Sequence, residues 1–160
     1  MAGIAPGVYR LTATVPPTAG QRWWLRSAIV GDRDVLDSTF ESVLGADVTN
    51  ATLTLTDRPS ALTGTLQTST GVPAPDYTVI VFPADPALRR ASRRILSARP
   101  ATDGRFGFKD LPAGTYLLVA VTDVEPNEWQ RREFLDEIAP AGVAVTLGPS
   151  EDKIQDLRIR

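Results

Sequence analysis

Three stretches of the chain alternate between apolar and polar positions: RLTATV from Arg10, TLTLT from Thr52 and DLRIR from Asp156. A period of two predicts half-buried strands with one face toward a core and the other toward water. Two further runs, YTVIVF from Tyr77 and YLLVAV from Tyr116, are apolar throughout and belong in the middle of a sandwich. Thirteen Pro and twelve Gly punctuate these runs, as in a mostly antiparallel β-protein. The pattern places strands near residues 8–15, 23–30, 34–41, 51–57, 61–68, 78–83, 93–101, 105–110, 115–123, 143–147 and 154–159. Helix is scarce. PALRRAS, Pro86 to Ser92, begins with Pro at a plausible first turn. EWQRREFLDEIAP is the better candidate, with Phe134, Leu135 and Ile138 on one face and Pro140 as the stop. Trp129 falls off that face, so it precedes the helix and is partly exposed.

The strand pattern contains an echo. IAPGVYRL near the start repeats the order of LPAGTYLL, with Pro6, Gly7, Tyr9 and Leu11 answering Pro112, Gly114, Tyr116 and Leu118. Each copy is later followed by a Leu-Gly and a closing alternating strand, LGADVTNATLTL from Leu44 and LGPSEDKIQDLRI from Leu147. The chain therefore reads as a partial β unit, residues 1–57, the back half of a repeat. A complete unit of the same kind follows at 58–160, joined through Asp57-Arg58-Pro59. A lone half-unit would expose sheet edges and apolar faces, so Tyr9 and Leu11 are candidate interface residues.

Composition narrows the chemistry. The chain contains no His and no Cys, which removes Ser-His-Asp and Cys-His catalysis, thiol redox chemistry and nearly every zinc, copper or haem site. No cofactor, metal or catalytic residue is expected. The net charge of -2 gives no field to draw nucleic acid or an anionic membrane, and no run approaches the length of a membrane span. Fifteen of the seventeen basic residues are Arg, a bias better ascribed to genome base composition than to function.

Asp32, Asp34 and Asp37 offer oxygens to Ca²⁺ but lack the Gly and distal Glu of an EF-hand loop, so a solvated turn is the plainer reading. Arg89, Arg90, Arg93, Arg94 and Arg99 form a basic stripe that reads as a solvated edge. In RWWLRS, Trp23 and Trp24 are adjacent in a strand and must point to opposite faces. One indole is then available to a sugar ring or a partner, unless packing between lobes covers it.

ALTGTLQTSTGVPAPDYTVIVF followed by DGRFGFKDLPAGTYLLVAV resembles the carboxypeptidase regulatory-like domain, over most of residues 61–123. The segment 124–141 departs from that family's short loop. The resemblance implies an all-β, antiparallel prealbumin-like (transthyretin-like, Ig-like) sandwich, here with one short helix. It also implies a non-catalytic spacer, adhesion or self-assembly module of an exported bacterial multidomain protein. The location would be periplasmic, cell-surface or extracellular, with any export signal outside this chain. Implied partners are neighbouring domains or other copies of the chain. The alternative is a carbohydrate-binding module, in which Trp24, Trp129 and Tyr77 would stack on a polysaccharide. Lys-Asn crosslinks, made by the related B-type adhesin repeat, are not expected, because Lys109 follows the DGxFxF strand instead of lying in the first strand.

Overall fold

A computed structural model of the protein describes residues 5–12, 23–45, 50–90, 92–125 and 127–159. The chain divides into two compact units, Met1–Arg58 and Pro59–Arg160. It is mostly β, with predominantly antiparallel pairing, and has one α-helix of seven residues among the described residues.

The first unit holds β1 (Gly7–Tyr9), β2 (Trp24–Val30), β3 (Arg33–Asp34), β4 (Phe40–Ser42) and β5 (Thr52–Thr56). Strand β1 pairs antiparallel with β4, Gly7 opposite Ser42 and Tyr9 opposite Phe40. The other three form an antiparallel sheet in the order β3-β2-β5. The strand expected at 34–41 is broken. Asp34 Oδ1 accepts from the amides of Ala28 and Leu36, and Ser38 Oγ donates to the Asp34 carbonyl, so residues 35–38 form a turn. A short acidic side chain that bonds nearby amides competes with the ladder, while Val35 beside it is buried and its amide bonds the Ala28 carbonyl. The first expected strand, 8–15, is seen as strand only at its start; residues 13–15 lie outside the described residues.

The second unit is a two-sheet sandwich. Its strands are β6 (Ser60–Gln67), β7 (Thr78–Pro83), β8 (Leu96–Ala98), β9 (Arg105–Leu111), β10 (Gly114–Val121), β11 (Val143–Leu147), β12 (Asp152–Ile154) and β13 (Leu157–Arg158), with α1 (Arg132–Ile138) between β10 and β11. One sheet runs β11-β10-β7-β8; the other places β9 on one side of β6 and the parallel β12 and β13 on its other side. Between the sheets lie Leu62 and Leu66 of β6, Phe106 and Phe108 of β9, Val79 and Val81 of β7, and Tyr116 and Leu118 of β10.

Alternation explains why β7 from Val79 on and β10 from Tyr116 on are apolar at every position. Their other faces present Ile80, Phe82 and Val119 to Leu135, with Phe134, Ile138 and Trp129 packed around them. The apolar stripe of α1 thus lies over the outer face of the central sheet, so both faces are dry. Trp129 precedes the helix in a 3₁₀ turn and is half-buried against this cluster.

Two expected strands are shorter than their patterns. The run 93–101 is strand only at Leu96–Ala98, after a 3₁₀ turn at Ser92–Arg94. The run 154–159 is interrupted at Gln155 and Asp156, where the chain crosses β6 over the bare face of Gly64. The Gln155 amide donates to the Thr63 carbonyl, and Asp156 Oδ1 accepts from both the amide and the hydroxyl of Thr65. Those bonds hold the Asp156 carboxyl below the ordinary carboxylate range. A Cβ on Gly64 would stand 1.9 Å from the Gln155 carbonyl oxygen. Gly64→Ala is therefore expected to cost about 2–3 kcal/mol, as overpacking against backbone does. Urea unfolding with an unchanged m-value checks this, and a loss under about 0.5 kcal/mol would show that the crossing relaxes freely.

Candidate functional site

The two units share a local device. In the second, Pro112-Ala113-Gly114 leads the chain into β10, and the Tyr116 hydroxyl donates back to the Pro112 carbonyl at 2.6 Å. In the first, the Tyr9 hydroxyl donates to the Ala5 carbonyl at 2.8 Å, again four residues upstream. Such a bond, a tyrosine corner, pins the approach to a strand in β-sandwiches. The glycine two residues earlier lies against the ring in both copies: a Cβ on Gly7 would be 3.5 Å from Tyr9 Cε2, and one on Gly114 3.7 Å from Tyr116 Cε2.

The surroundings differ. Strand β10 is flanked by β11, with Tyr116 opposite Val145, and by β7, with Tyr116 opposite Pro83. Strand β1 is flanked by β4, and among the described residues no counterpart of β7 lies on its other side. Tyr116 is fully buried, whereas Tyr9 is half-buried and rests on Phe40 with ring centroids 6.0 Å apart. The large apolar side chains Val8, Val43, Leu44, Leu53 and Leu55 are exposed in the first unit. Beside β1 a pocket of about 370 Å³ is lined by Val8, Val30, Val35, Phe40, Arg33 and Glu41, with Thr39.

The sequence-predicted residues fall in several places. Tyr9 and Leu11 lie in and just after β1, Leu11 half-buried. Trp23 and Trp24 are both half-buried at the start of β2, Trp24 opposite Thr56 of β5. Tyr77 packs on the core between the sheets and Trp129 on the helix-side cluster, so the second unit does not gather these two into one face. Asp34 is committed to its turn, and no group of three acidic side chains that could hold a metal occurs among the described residues. Lys153 donates to the Thr146 carbonyl and lies 3.7 Å from Glu151.

The basic stripe is corrected in part. Arg89 is buried. Its guanidinium donates to the carbonyls of Pro83 and Ala84, pairs with Asp136 of α1 and lies 5.3 Å from the Phe82 ring centroid. This clamps the helix to the end of β7, and the bond from Arg89, followed by its charge, holds the Asp136 carboxyl below the ordinary range. Arg94 donates to the Ala113 carbonyl and to the Tyr116 hydroxyl. No periodicity links Arg89 to an acid on a distant helix, which is why an exposed edge was expected. The pocket residues Arg33, Phe40 and Glu41 were also missed; the turn at 35–38 that brings β3 and β4 together is invisible to strand patterning.

No family model matches the chain, and no curated protein matches it. Among solved structures it is similar to the Bacillus anthracis TIE protein, at 9% identity and TM-score 0.41, over 68% of this chain and 19% of that one. A Pseudomonas aeruginosa protein provisionally described as carbohydrate-binding matches at 14% identity and TM-score 0.41, over 63% and 88% of the two chains. The group B streptococcus pilus 2b backbone protein matches at 12% identity and TM-score 0.41, over 75% of this chain and 46% of that one.

The two tyrosine bonds make unequal contributions. Tyr116→Phe strips a donor from a buried ring and is expected to cost about 1–1.5 kcal/mol. Tyr9→Phe acts at an exposed bond and should stay within about 0.5 kcal/mol. Thermal or urea unfolding of the two variants checks the ranking; equal losses would contradict it.

Proposed function

We propose that the chain is a non-catalytic β-sandwich module of an exported bacterial multidomain protein, and that its first unit is the surface through which it assembles. The second unit is the rigid support. The observation that carries this is the repeated tyrosine corner: β1 has the entry geometry of a central strand, yet among the described residues it has only one neighbour. A strand built for the middle of a sheet but placed at an edge is a template for pairing. The exposed apolar side chains of the same unit support this reading.

The sequence supports the other parts. Without His or Cys the usual nucleophile and base pairs cannot be built. Export and bacterial origin rest on the resemblance to the carboxypeptidase regulatory-like domain. A compositionally different reading, a carbohydrate-binding module, draws on one observation, the pocket beside β1. Its lining combines an aromatic residue, Phe40, with the polar Arg33 and Glu41, the residue types that suit a sugar ring.

Mass in solution separates the two. Light scattering over a wide concentration range is expected to show dimers or longer chains that persist on dilution. Leu11→Asp, just after β1, is expected to weaken them. A compact monomer at every concentration would overturn assembly and make the pocket the leading ligand site.

A further inference from the structure

We infer that strand β5 is a self-complementary edge that pairs antiparallel with β5 of a second copy, about a twofold axis through Thr54. This deepens the assembly reading above and rests on it, but names a surface other than β1.

The sequence of β5, Thr52-Leu53-Thr54-Leu55-Thr56, is the same read in either direction. Set antiparallel against itself about Thr54, it places Leu53 opposite Leu55 of the other copy, Thr52 opposite Thr56 and Thr54 opposite Thr54. Every cross-strand pair is then leucine on leucine or threonine on threonine, the like-with-like matching that favours sheet pairing. A contact in which each partner offers the same patch is the isologous arrangement of twofold dimers.

The structure places this strand where it can act. Among the described residues β5 is the outer strand of the β3-β2-β5 sheet, with β2 on one side. Leu53 is 57% and Leu55 45% exposed, while Thr54 and Thr56 are half-buried. That is the reverse of what a free-standing edge favours. Across β2 the leucine side of the sheet continues through Leu25, half-buried opposite Leu55, and Ala28, buried opposite Leu53. Pairing two copies brings the four leucines side by side and joins the two three-stranded sheets into one of six strands.

Edges that avoid pairing carry Lys, Pro or an inward charge. None occurs within Thr52–Thr56. The flanks agree as well: Asp57 falls opposite Ala51 of the other copy, and the two Asp57 carboxylates lie about 20 Å apart, beyond the Debye length. No like charges meet.

Cysteine cross-linking of the full chain tests the register, since the natural chain has no cysteine. Residues directly opposite in an antiparallel pair have Cα atoms about 4.5–5.5 Å apart, within disulfide reach. Thr54→Cys is expected to form a covalent dimer under mild oxidation, and Thr70→Cys, exposed in the second unit, to remain monomeric. Leu55→Lys, which sets an ammonium against Leu53 of the other copy, is expected to weaken the dimer about tenfold or more by light scattering. If the chain assembles but Thr54→Cys links no faster than Thr70→Cys and Leu55→Lys changes nothing, β5 pairing is overturned and assembly through another surface stands. A monomer at all concentrations overturns both.

Discussion

A β-strand carries donors and acceptors along both edges, and in this chain that requirement is met unequally. In the second unit, β10 gives one edge to β11 and the other to β7, and its two faces are covered by the opposite sheet and by α1. Everything around it serves that burial. The tyrosine corner sets its entry, the Arg89–Asp136 clamp fastens the helix, and the bare face of Gly64 admits the final crossing. In the first unit the same entry leads to a strand with one neighbour among the described residues, beside a sheet whose leucines face outward. The proposal that the first unit is an interface rests on this contrast.

Arg89 shows how a charge is made to hold a scaffold together. Its guanidinium has two carbonyls, one carboxylate and an aromatic face as neighbours, so the cost of burial is offset by hydrogen bonds instead of by a lone ion pair. With Asp136 still partly open to water, the pair contributes position more than stability: it fixes α1 over the outer face of β7 and β10. Losing that cover would expose Ile80, Phe82 and Val119 together.

Much of this was legible along the chain, and the exceptions have physical causes. The apolar runs at 77–82 and 116–121 pointed to central strands because only a strand dry on both faces needs apolar residues at every position. The turn into β9 is closed at Gly104, whose φ of 81° favours glycine. The face at 132–138 pointed to the helix. What patterning missed were side chains bonding the backbone: Asp34 broke a predicted strand by capturing two amides, and Asp156 broke another by capturing Thr65. Period two also left the orientation of TLTLT open. It announced a strand without saying which side chains meet solvent, and both leucines are exposed.

Assembly through the first unit requires that a partner stabilise it, while the second unit is stable alone. Amide hydrogen exchange, read peptide by peptide at low and at high protein concentration, addresses that directly. Protection in Ala51–Asp57 and the rest of the first unit is predicted to rise with concentration, while β7 and β10 keep the same protection throughout. Protection of the first unit that does not change with concentration would contradict the account.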